Sequence, residues 1–508
     1  NIMIGEGTGM FLNGCHNTFL GTSAGTKSTE ATGNTFIGRV SGGCNTTGSK
    51  NVSVGWNAGL GNTTGSGNIN VGRESGAINC GSTGSANISM GQFSGKSISS
   101  GQCNISIGEC AGCDLTSGGC NIAIGQNAGK KLHSSSDNIA IGRLTASFNN
   151  VTGNYNIMFG NRAGSKLTSG SQNIFLGASA GRYVTSGARN FVAGTQSSYC
   201  LTLGNDNIGI GACTNRCLTI GSDNIAIGRC ANYSDVCTWG NIAIGHSAGY
   251  HANATNYREN ISIGSTAGGG GACNIAIGVR ALSNCGTTGG QNIAIGMEAA
   301  CSMSYGDHNV FIGSATGAGN EGGGGACNIA IGVRALSNCG TTGGQNIAIG
   351  MEAACSMSYG DHNVFIGSAT GAGNEGGDCN IGIGVNAGRC NRDGHRNISI
   401  GHMTNFCSEH SMCNVAVGHQ AQFKIETASH NVALGNQAAR CLETSHGNVS
   451  IGQSAAYGLK GGSNNVSIGS SSGAGSCLGT DGATGDDNIY IGKFSGTNIT
   501  TGHTNVFL

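Results

Sequence analysis

Residues 121–129 read Asn-Ile-Ala-Ile-Gly-Gln-Asn-Ala-Gly, a pattern that recurs from one end of the chain to the other. Its core, Asn-Ile-x-Ile-Gly, returns most often after 17 residues, and about 30 copies lie in the 508-residue chain. A fixed short period predicts a repeat architecture in which each unit contacts only its neighbours along the stack. The leading asparagines include Asn17, Asn34, Asn51, Asn68, Asn87, Asn104, Asn121, Asn138, Asn156, Asn173, Asn190, Asn207, Asn224 and Asn241.

One block of the array is duplicated, because residues 268–323 are identical to residues 322–377. A stack of coils accepts whole inserted coils without disturbing distant ones. We therefore expect one continuous repeat array over residues 1–508. The chain closes on residues 505–508, Asn-Val-Phe-Leu, where the pattern next requires glycine. We interpret the chain as a piece of a longer array.

The composition argues against several classes of protein. The chain has 96 glycines and no proline, its charged residues amount to 9%, and its formal net charge is zero. Disordered chains are usually rich in proline and charge, so disorder is not expected. A chain without a basic patch lacks the electrostatic footprint of nucleic-acid binding. No apolar run approaches the length of a membrane span, so we expect no membrane insertion.

Counted from the asparagine as position 1, positions 2 and 4 of each coil are β-branched or aliphatic and position 5 is glycine. Short β-branched runs bounded by glycine are typical of strands joined by tight corners. We predict an all-β fold, a β-solenoid of about 30 coils with 17 residues each, at about 4.8 Å per coil. Positions 2, 4, 8 and 12 are expected to point inward, and position 1 to form a ladder of stacked amides.

Position 3 should then point away from positions 2 and 4, towards solvent. Yet it is apolar in most copies and charged in none, as in Phe36, Ala123, Phe175 and Tyr490. The sequence thus favours burial of an outward position-3 stripe against another chain, either by lateral association or in a trimer. The alternative is that alanine and glycine merely tolerate exposure.

Residues 51–59, Asn-Val-Ser-Val-Gly-Trp-Asn-Ala-Gly, and the closing Thr63-Thr64-Gly65 resemble the Gly/Asn-rich repeats of phage tail fibres and bacterial surface fibres. The motif is also similar, more loosely, to the head repeats of trimeric autotransporter adhesins, although those repeats are shorter than 17 residues. The resemblance covers the whole chain. It implies a fibre or adhesin at the surface of a cell or virion, and it names no ligand.

Several of the 24 cysteines recur one coil apart, which predicts disulfides between adjacent coils and an oxidising compartment. Buried free thiols are the alternative interpretation. A zinc site at Cys110 and Cys113 is disfavoured, because a closed tetrahedral site requires two further ligands. The predicted pairs are Cys103 with Cys120, Cys200 with Cys217, Cys213 with Cys230, Cys285 with Cys301, Cys339 with Cys355, and Cys390 with Cys407.

Glycosylation sequons that lie away from position 1 predict attached glycans if the source is eukaryotic. Sequons that use the position-1 asparagine are expected to be locked in the amide ladder. The candidate glycan carriers are Asn45, Asn62, Asn150, Asn232, Asn253 and Asn498.

For function, we predict a rigid, disulfide-stapled structural subunit of an extracellular fibre, with no catalytic residue, no cofactor and no metal site. Its expected partner is another copy of itself, in a homo-oligomer or head-to-tail filament, with glycans or cell surfaces as further partners. The alternative is the shaft of an adhesin or of a receptor-binding tail fibre. An ice-binding solenoid is more distant, because the threonines near positions 13 and 14 are irregular.

Overall fold

The computed structural model describes residues 1–76, 78–233, 237–250, 258–283, 289–303, 306–319, 325–337, 343–475 and 484–508. The chain forms a parallel β-solenoid of about 28 turns with about 17 residues per turn, which confirms the predicted fold class. Every regular element among these residues is a β-strand, so no helix there could span a membrane. The chain divides into two compact units, Asn1–Asn253 and Ala254–Leu508.

Strands of the first unit occupy positions 2 to 4 of successive coils. They are β1 (Ile2–Ile4), β2 (Thr18–Leu20), β3 (Thr35–Ile37), β4 (Val52–Val54), β5 (Ile69–Val71), β6 (Ile88–Met90), β7 (Ile105–Ile107), β8 (Ile122–Ile124), β9 (Ile139–Ile141), β10 (Ile157–Phe159), β11 (Ile174–Leu176), β12 (Phe191–Ala193), β13 (Ile208–Ile210), β14 (Ile225–Ile227) and β15 (Ile242–Ile244).

The second unit repeats the same arrangement and adds two short strands, β25 (Cys407–Ser408) and β27 (Lys424–Ile425), which pair with each other. Its strands are β16 (Ile261–Ile263), β17 (Ile275–Ile277), β18 (Ile293–Ile295), β19 (Val310–Ile312), β20 (Ile329–Ile331), β21 (Ile347–Ile349), β22 (Val364–Ile366), β23 (Ile381–Ile383), β24 (Ile398–Ile400), β25 (Cys407–Ser408), β26 (Val415–Val417), β27 (Lys424–Ile425), β28 (Val432–Leu434), β29 (Val449–Ile451), β30 (Val466–Ile468), β31 (Ile489–Ile491) and β32 (Val506–Phe507).

Within each unit, each strand at positions 2 to 4 pairs in parallel with the corresponding strand of the next coil, residue for residue. Ile122 is opposite Ile139, for example, and Ala123 is opposite Ala140. The register survives changes in coil length, because Val466 still pairs with Ile489 across a 23-residue step. Extra residues therefore leave the strand ladder intact, and length variation is confined to the rest of the coil.

The direction of the strand side chains is the reverse of the prediction. Position 3 is buried, as in Phe175 and Ala226, whereas positions 2 and 4 remain partly exposed, as in Ile225 and Ile227. Side chains alternate along a strand, so a buried asparagine at position 1 requires position 3 to share its side. The expected burial of a position-3 stripe against another chain is wrong, because the coil's own interior already contains these side chains.

The interior of the coil is narrow, so a large side chain at position 3 is accompanied by a small one at position 9. The ring of Phe175 reaches across to Gly181 at position 9, where an added Cβ would lie only 2.7 Å from the ring. Position 9 can be larger where position 3 is small, as in the pair Ala276 and Leu282. Positions 8 and 12 are buried as predicted, including Ala128 and Leu132.

The position-1 asparagines form the predicted ladder, and the pattern of hydrogen bonds explains why asparagine is needed. The Nδ2 group of Asn207 donates to the carbonyl of Gly221 in its own coil, at 2.7 Å. Its Oδ1 accepts hydrogen bonds from the backbone N–H and the Nδ2 of Asn224 in the next coil. One side chain thus closes its own coil and binds the next, with each bond contributing about 0.5–1.5 kcal/mol net.

Glycine at position 5 is required by both space and backbone conformation. Gly38 has φ of +128°, and a Cβ there would lie 2.5 Å from the carbonyl oxygen of Gly55 in the next coil. Three other points of the coil, positions 7, 9 and 17, also take left-handed backbone but accept ordinary residues, as in Asn127, Ala146 and Asp137. Such left-handed residues recur in each turn, and they exclude a continuous helix.

Candidate functional site: the outward columns of the coils

Outward side chains at positions 2 and 4 form two parallel columns along the stack, which we call the aliphatic face. Ile69 is 38% exposed, Ile210 37% and Ile491 42%. Across all copies these positions hold aliphatic or aromatic residues apart from Thr18 and Thr35, and none is charged. Soluble monomers rarely expose contiguous apolar surface above a few hundred Å². This face is therefore a candidate contact surface.

A second surface feature is a column of arginines and tyrosines at position 10 of the first unit, the first cation–aromatic column. Nη1 of Arg182 donates a 2.9 Å hydrogen bond to the hydroxyl of Tyr199. Cζ of Arg216 lies 5.8 Å from the centroid of the Tyr199 ring and 5.5 Å from that of Tyr233. A hydrogen bond with the Tyr233 hydroxyl raises the pKa of Arg216, so this guanidinium stays charged.

The second unit has an equivalent column at position 10, the second cation–aromatic column, made of Arg389, Phe406, Phe423, Arg440 and Tyr457. The rings of Phe406 and Phe423 stack with centroids 5.2 Å apart. Cζ of Arg440 lies 5.3 Å from the Phe423 centroid and 5.6 Å from that of Tyr457. Cation–π contacts of this kind contribute about 0.5–1 kcal/mol at exposed sites. They tie neighbouring coils together and present a row of cations and rings.

In many coils the residue two places before the asparagine provides a further inter-coil hydrogen bond, which we did not predict. The backbone N–H of Ser49 donates to Oγ of Ser66 at 3.0 Å, and that of Asp378 donates to Nδ1 of His395 at 2.9 Å. Serine, asparagine, aspartate and histidine share this place because each has a short side-chain acceptor. Their recurrence at one position of the repeat was a signal that sequence analysis missed.

Charged side chains pair mostly along a column, from one coil to the next. Arg189 lies 2.7 Å from Asp206 and lowers the pKa of that carboxyl group through a hydrogen bond. Lys424 likewise lies 2.9 Å from Glu443 and lowers the pKa of that carboxyl group through a hydrogen bond. These pairs are exposed, so each adds little to stability. Among the residues with described positions, no three His, Cys, Asp or Glu side chains are grouped to hold a metal ion.

The predicted inter-coil disulfides are not formed in the described part of the chain. Side chains in one column point the same way, so their Cβ atoms keep the coil spacing of about 4.8 Å. A disulfide needs Cβ atoms about 3.8 Å apart, so this common direction explains the incorrect prediction. Cys285 and Cys339 lie outside the described residues. The other predicted partners are free thiols: Cys103, Cys120, Cys200, Cys217, Cys213, Cys230, Cys301, Cys355, Cys390 and Cys407.

Two of the predicted pairs do lie close enough to interact. Burial raises the pKa of the Cys200 thiol, and Cys217 raises it further. Cys407 is more exposed, but partial desolvation still raises the pKa of its thiol, and Cys390 adds to that effect. Since the thiolate is the reactive form, these thiols are less nucleophilic than an ordinary cysteine.

A disulfide joins two cysteines that sequence analysis did not pair. Cys44 and Cys80 lie 36 residues apart with a Cα–Cα distance of 5.7 Å. They belong to the coils of β3 and β5, so the bond spans the coil of β4, which has Gly61 at this point. Cys80 lies in a 19-residue coil. The extra residues place it at a different position of its coil from Cys44, so a search for cysteines at regular 17-residue spacing does not pair the two.

The described glycosylation candidates fall into a buried group and an exposed group. Asn45, Asn62 and Asn232 are at most 6% exposed, so the prediction that they carry glycans is wrong for the folded chain. Nδ2 of Asn62 donates to Oδ1 of Asn45 at 3.3 Å, which makes these residues part of an interior amide ladder. Asn150 and Asn498 are exposed and remain predictions. The remaining candidate, Asn253, lies outside the described residues.

Comparison with known proteins adds no assignment, because no protein-family model and no curated protein matches this chain.

Proposed function

We propose that this chain is a structural subunit of an extracellular fibre, a rigid scaffold without a catalytic role. The observation that carries the proposal is the asparagine ladder, which ties one coil to the next along each of the two units. Asn173 accepts the backbone N–H of Asn190, and Asn190 accepts that of Asn207. Each added coil repeats the same bonds, so the arrangement lengthens the stack without requiring a new core.

Several independent contacts oppose bending or separation of the coils. Backbone strand bonds, the asparagine ladder, the acceptor bonds that precede many of the asparagines and the cation–aromatic columns lie at different points around the coil. A coil could tilt away from its neighbour only by breaking bonds on one side while compressing close backbone contacts on the other. Gly38 and Gly55 are one such close contact. Stiffness along the axis is the mechanical property that a fibre subunit needs.

The extracellular setting is supported by the disulfide between Cys44 and Cys80. Disulfides persist in oxidising compartments and are rare in reducing ones. The resemblance to tail-fibre and surface-fibre repeats in the sequence points to the same setting. Under this proposal the low charge of the chain prevents repulsion between like charges stacked in register.

The experiment that tests the proposal is electron cryo-microscopy of the native material, together with the purified full chain. We expect straight rods with a layer line near about 4.8 Å, the spacing of parallel strands. Flexible or globular particles without that layer line would overturn the proposal. Discrete rods of fixed length with a separate terminal domain would instead favour the shaft of an adhesin or tail fibre.

The adhesive shaft is a second candidate, and the cation–aromatic columns favour it. Guanidinium groups bind carboxylates and sulfates, and partly exposed aromatic rings pack against sugar rings, so the columns suit an acidic glycan. The test is binding of dextran sulfate, with neutral dextran as the control ligand. Replacing Arg182 and Arg216 by Gln removes the cations of the first column and should weaken binding, with the second column left intact, whereas replacing Arg143 and Arg162 by Gln should leave binding unchanged. Equal binding by the two double variants would reject this candidate.

A further inference from the structure

We infer that the aliphatic face is the contact between two copies of this chain, packed sheet against sheet. The inference rests on the proposed fibre function and adds the surface and the partner through which the rods associate. It also replaces the position-3 stripe, which the coil interior buries, by a surface that the structure leaves exposed at positions 2 and 4.

The extent of the aliphatic face exceeds what a stable dimer needs. If each of the two side chains in a coil exposes about 60 Å² of apolar surface, the strands of the first unit together present about 1,800 Å². A standard stable interface buries only about 800 Å² on each partner. In the second unit the apolar surface widens to position 6, where Val279, Met297 and Val333 are about half exposed.

The shape of the face suits an identical partner. Position 3 points inward, so the surface between the two columns is strand backbone and forms a shallow groove parallel to the stack. Positions 2 and 4 are about 7 Å apart along the strand, enough for an aliphatic column of the partner to lie between them. Two sheets interdigitated in this way would be about 10 Å apart, as in β-sandwiches.

The spacing of the coils argues for a second copy rather than an unrelated partner. Side chains in each column repeat at the strand spacing, and only a surface with the same repeat can match them coil after coil. The face has no charge to pair with a charged partner. Its border is polar, because Arg189 and Asp206 form an ion pair just before the position-1 asparagines. An apolar centre with a polar rim is the usual composition of a protein interface.

The test compares two double variants of the full chain that differ only in the face they change. Ile210→Lys with Ile227→Lys introduces charge at position 4 of consecutive coils. Leu203→Lys with Ile220→Lys is the matched control, because these exposed aliphatic residues occupy position 14 of consecutive coils. Sedimentation equilibrium gives the association constant of each variant, and amide hydrogen exchange verifies that both remain folded.

We expect the unmodified chain and the control variant to associate, and the face variant to associate at least about 100-fold more weakly, because unpaired lysines in an apolar contact lose their hydration. Equal association of the two variants would overturn the inference. A monomeric unmodified chain would also overturn it. If that monomer bound phosphatidylcholine vesicles through the same residues, the face would be assigned to a lipid surface. In both cases straight rods with the strand layer line would leave the proposed function standing, whereas their absence would reject that proposal.

Discussion

Gly181 faces the ring of Phe175 across the interior of one coil, and a Cβ on Gly181 would lie 2.7 Å from ring carbon Cδ1. Gly181 has φ of +56°, yet Ala146 takes a similar conformation at the same position, opposite the smaller Ala140. The requirement for glycine at position 9 therefore comes mainly from the volume of the position-3 side chain rather than from the backbone.

This relationship predicts that the effects of substitutions at Gly181 and Phe175 on stability are strongly coupled. Gly181→Ala should destabilise the coil by about 1–3 kcal/mol through overpacking, and Phe175→Ala by about 3–5 kcal/mol through the cavity. The double variant should cost at least about 1 kcal/mol less than the sum, because the new methyl group fills part of that cavity. Hydrogen exchange of β11 and β12 measures the effect where it occurs. Strictly additive costs would show that the two side chains do not share one space.

Removal of one asparagine from the ladder should have a large local effect. Asn207→Ala deletes the side chain that donates to Gly221 and leaves the backbone N–H of Asn224 without that acceptor in a buried site. We expect a loss of about 2–4 kcal/mol, since unsatisfied buried groups pay their full desolvation cost. Exposed Asn161→Ala is the control and should change stability by less than about 0.5 kcal/mol. Equal protection from hydrogen exchange in both variants would contradict the ladder's role.

The two kinds of glycine in the coil should respond very differently to alanine. Gly38→Ala would place a Cβ 2.5 Å from a backbone oxygen of the next coil, so we expect that pair of coils to separate, with a cost above about 4 kcal/mol. Gly33→Ala is a matched control, because the nearest atom to its Cβ is 3.8 Å away and Ala86 occupies the same place in another coil. Its cost should be about 1 kcal/mol. Thermal unfolding and limited proteolysis report the difference, and similar behaviour would refute the steric explanation.

Gln422 offers a change that should stabilise the fold. Its side chain is fully buried at position 9, and neither its Nε2 nor its Oε1 has a hydrogen-bond partner among the described residues. Gln422→Leu should raise stability by about 1–2 kcal/mol, because leucine already fills this position at Leu282 and needs no partner. Gln437→Leu removes a surface hydrogen bond to Gln420 and should be near neutral. A lower melting temperature for Gln422→Leu would indicate that this amide has an unseen partner.

The pH dependence of thiol alkylation tests the environment of Cys200. Burial raises the pKa of this thiol, so less of it is thiolate at any given pH than in an ordinary cysteine. Its alkylation by iodoacetamide should therefore reach half-maximal rate at a higher pH than in the denatured chain, which serves as the control. Mass spectrometry of the peptide that contains Cys200 follows the reaction. The same midpoint in both states would show that the site is not buried.

Much of the surface could not be derived from the repeat alone. Asn45 and Asn62 are a different case, because they occupy position 12, which the repeat already predicted to point inward, so their burial could have been derived from the sequence. Cys44 and Cys80 meet because a longer coil shifts the second cysteine out of the 17-residue register. The position-10 columns escaped detection because arginine, tyrosine and phenylalanine alternate there rather than repeat. The disulfide and the columns therefore depend on how individual coils of particular length and sequence stack on one another, which the repeat pattern alone does not give.

The repeat by itself determined the parallel β-solenoid, its period of about 17 residues, the asparagine ladder and the need for glycine at position 5, because these follow from backbone bonding that recurs in every coil. Only the tertiary structure decided which side of the strand is the interior. Alternation divides the side chains into two sets but does not say which set faces inward, and hydrophobicity favoured Ile122 and Ile124 over Ala123. The narrow coil decides otherwise, and position 3 faces inward. An interior closed by asparagine at position 1 and bounded by glycine at position 9 has room for only one inward strand side chain per turn.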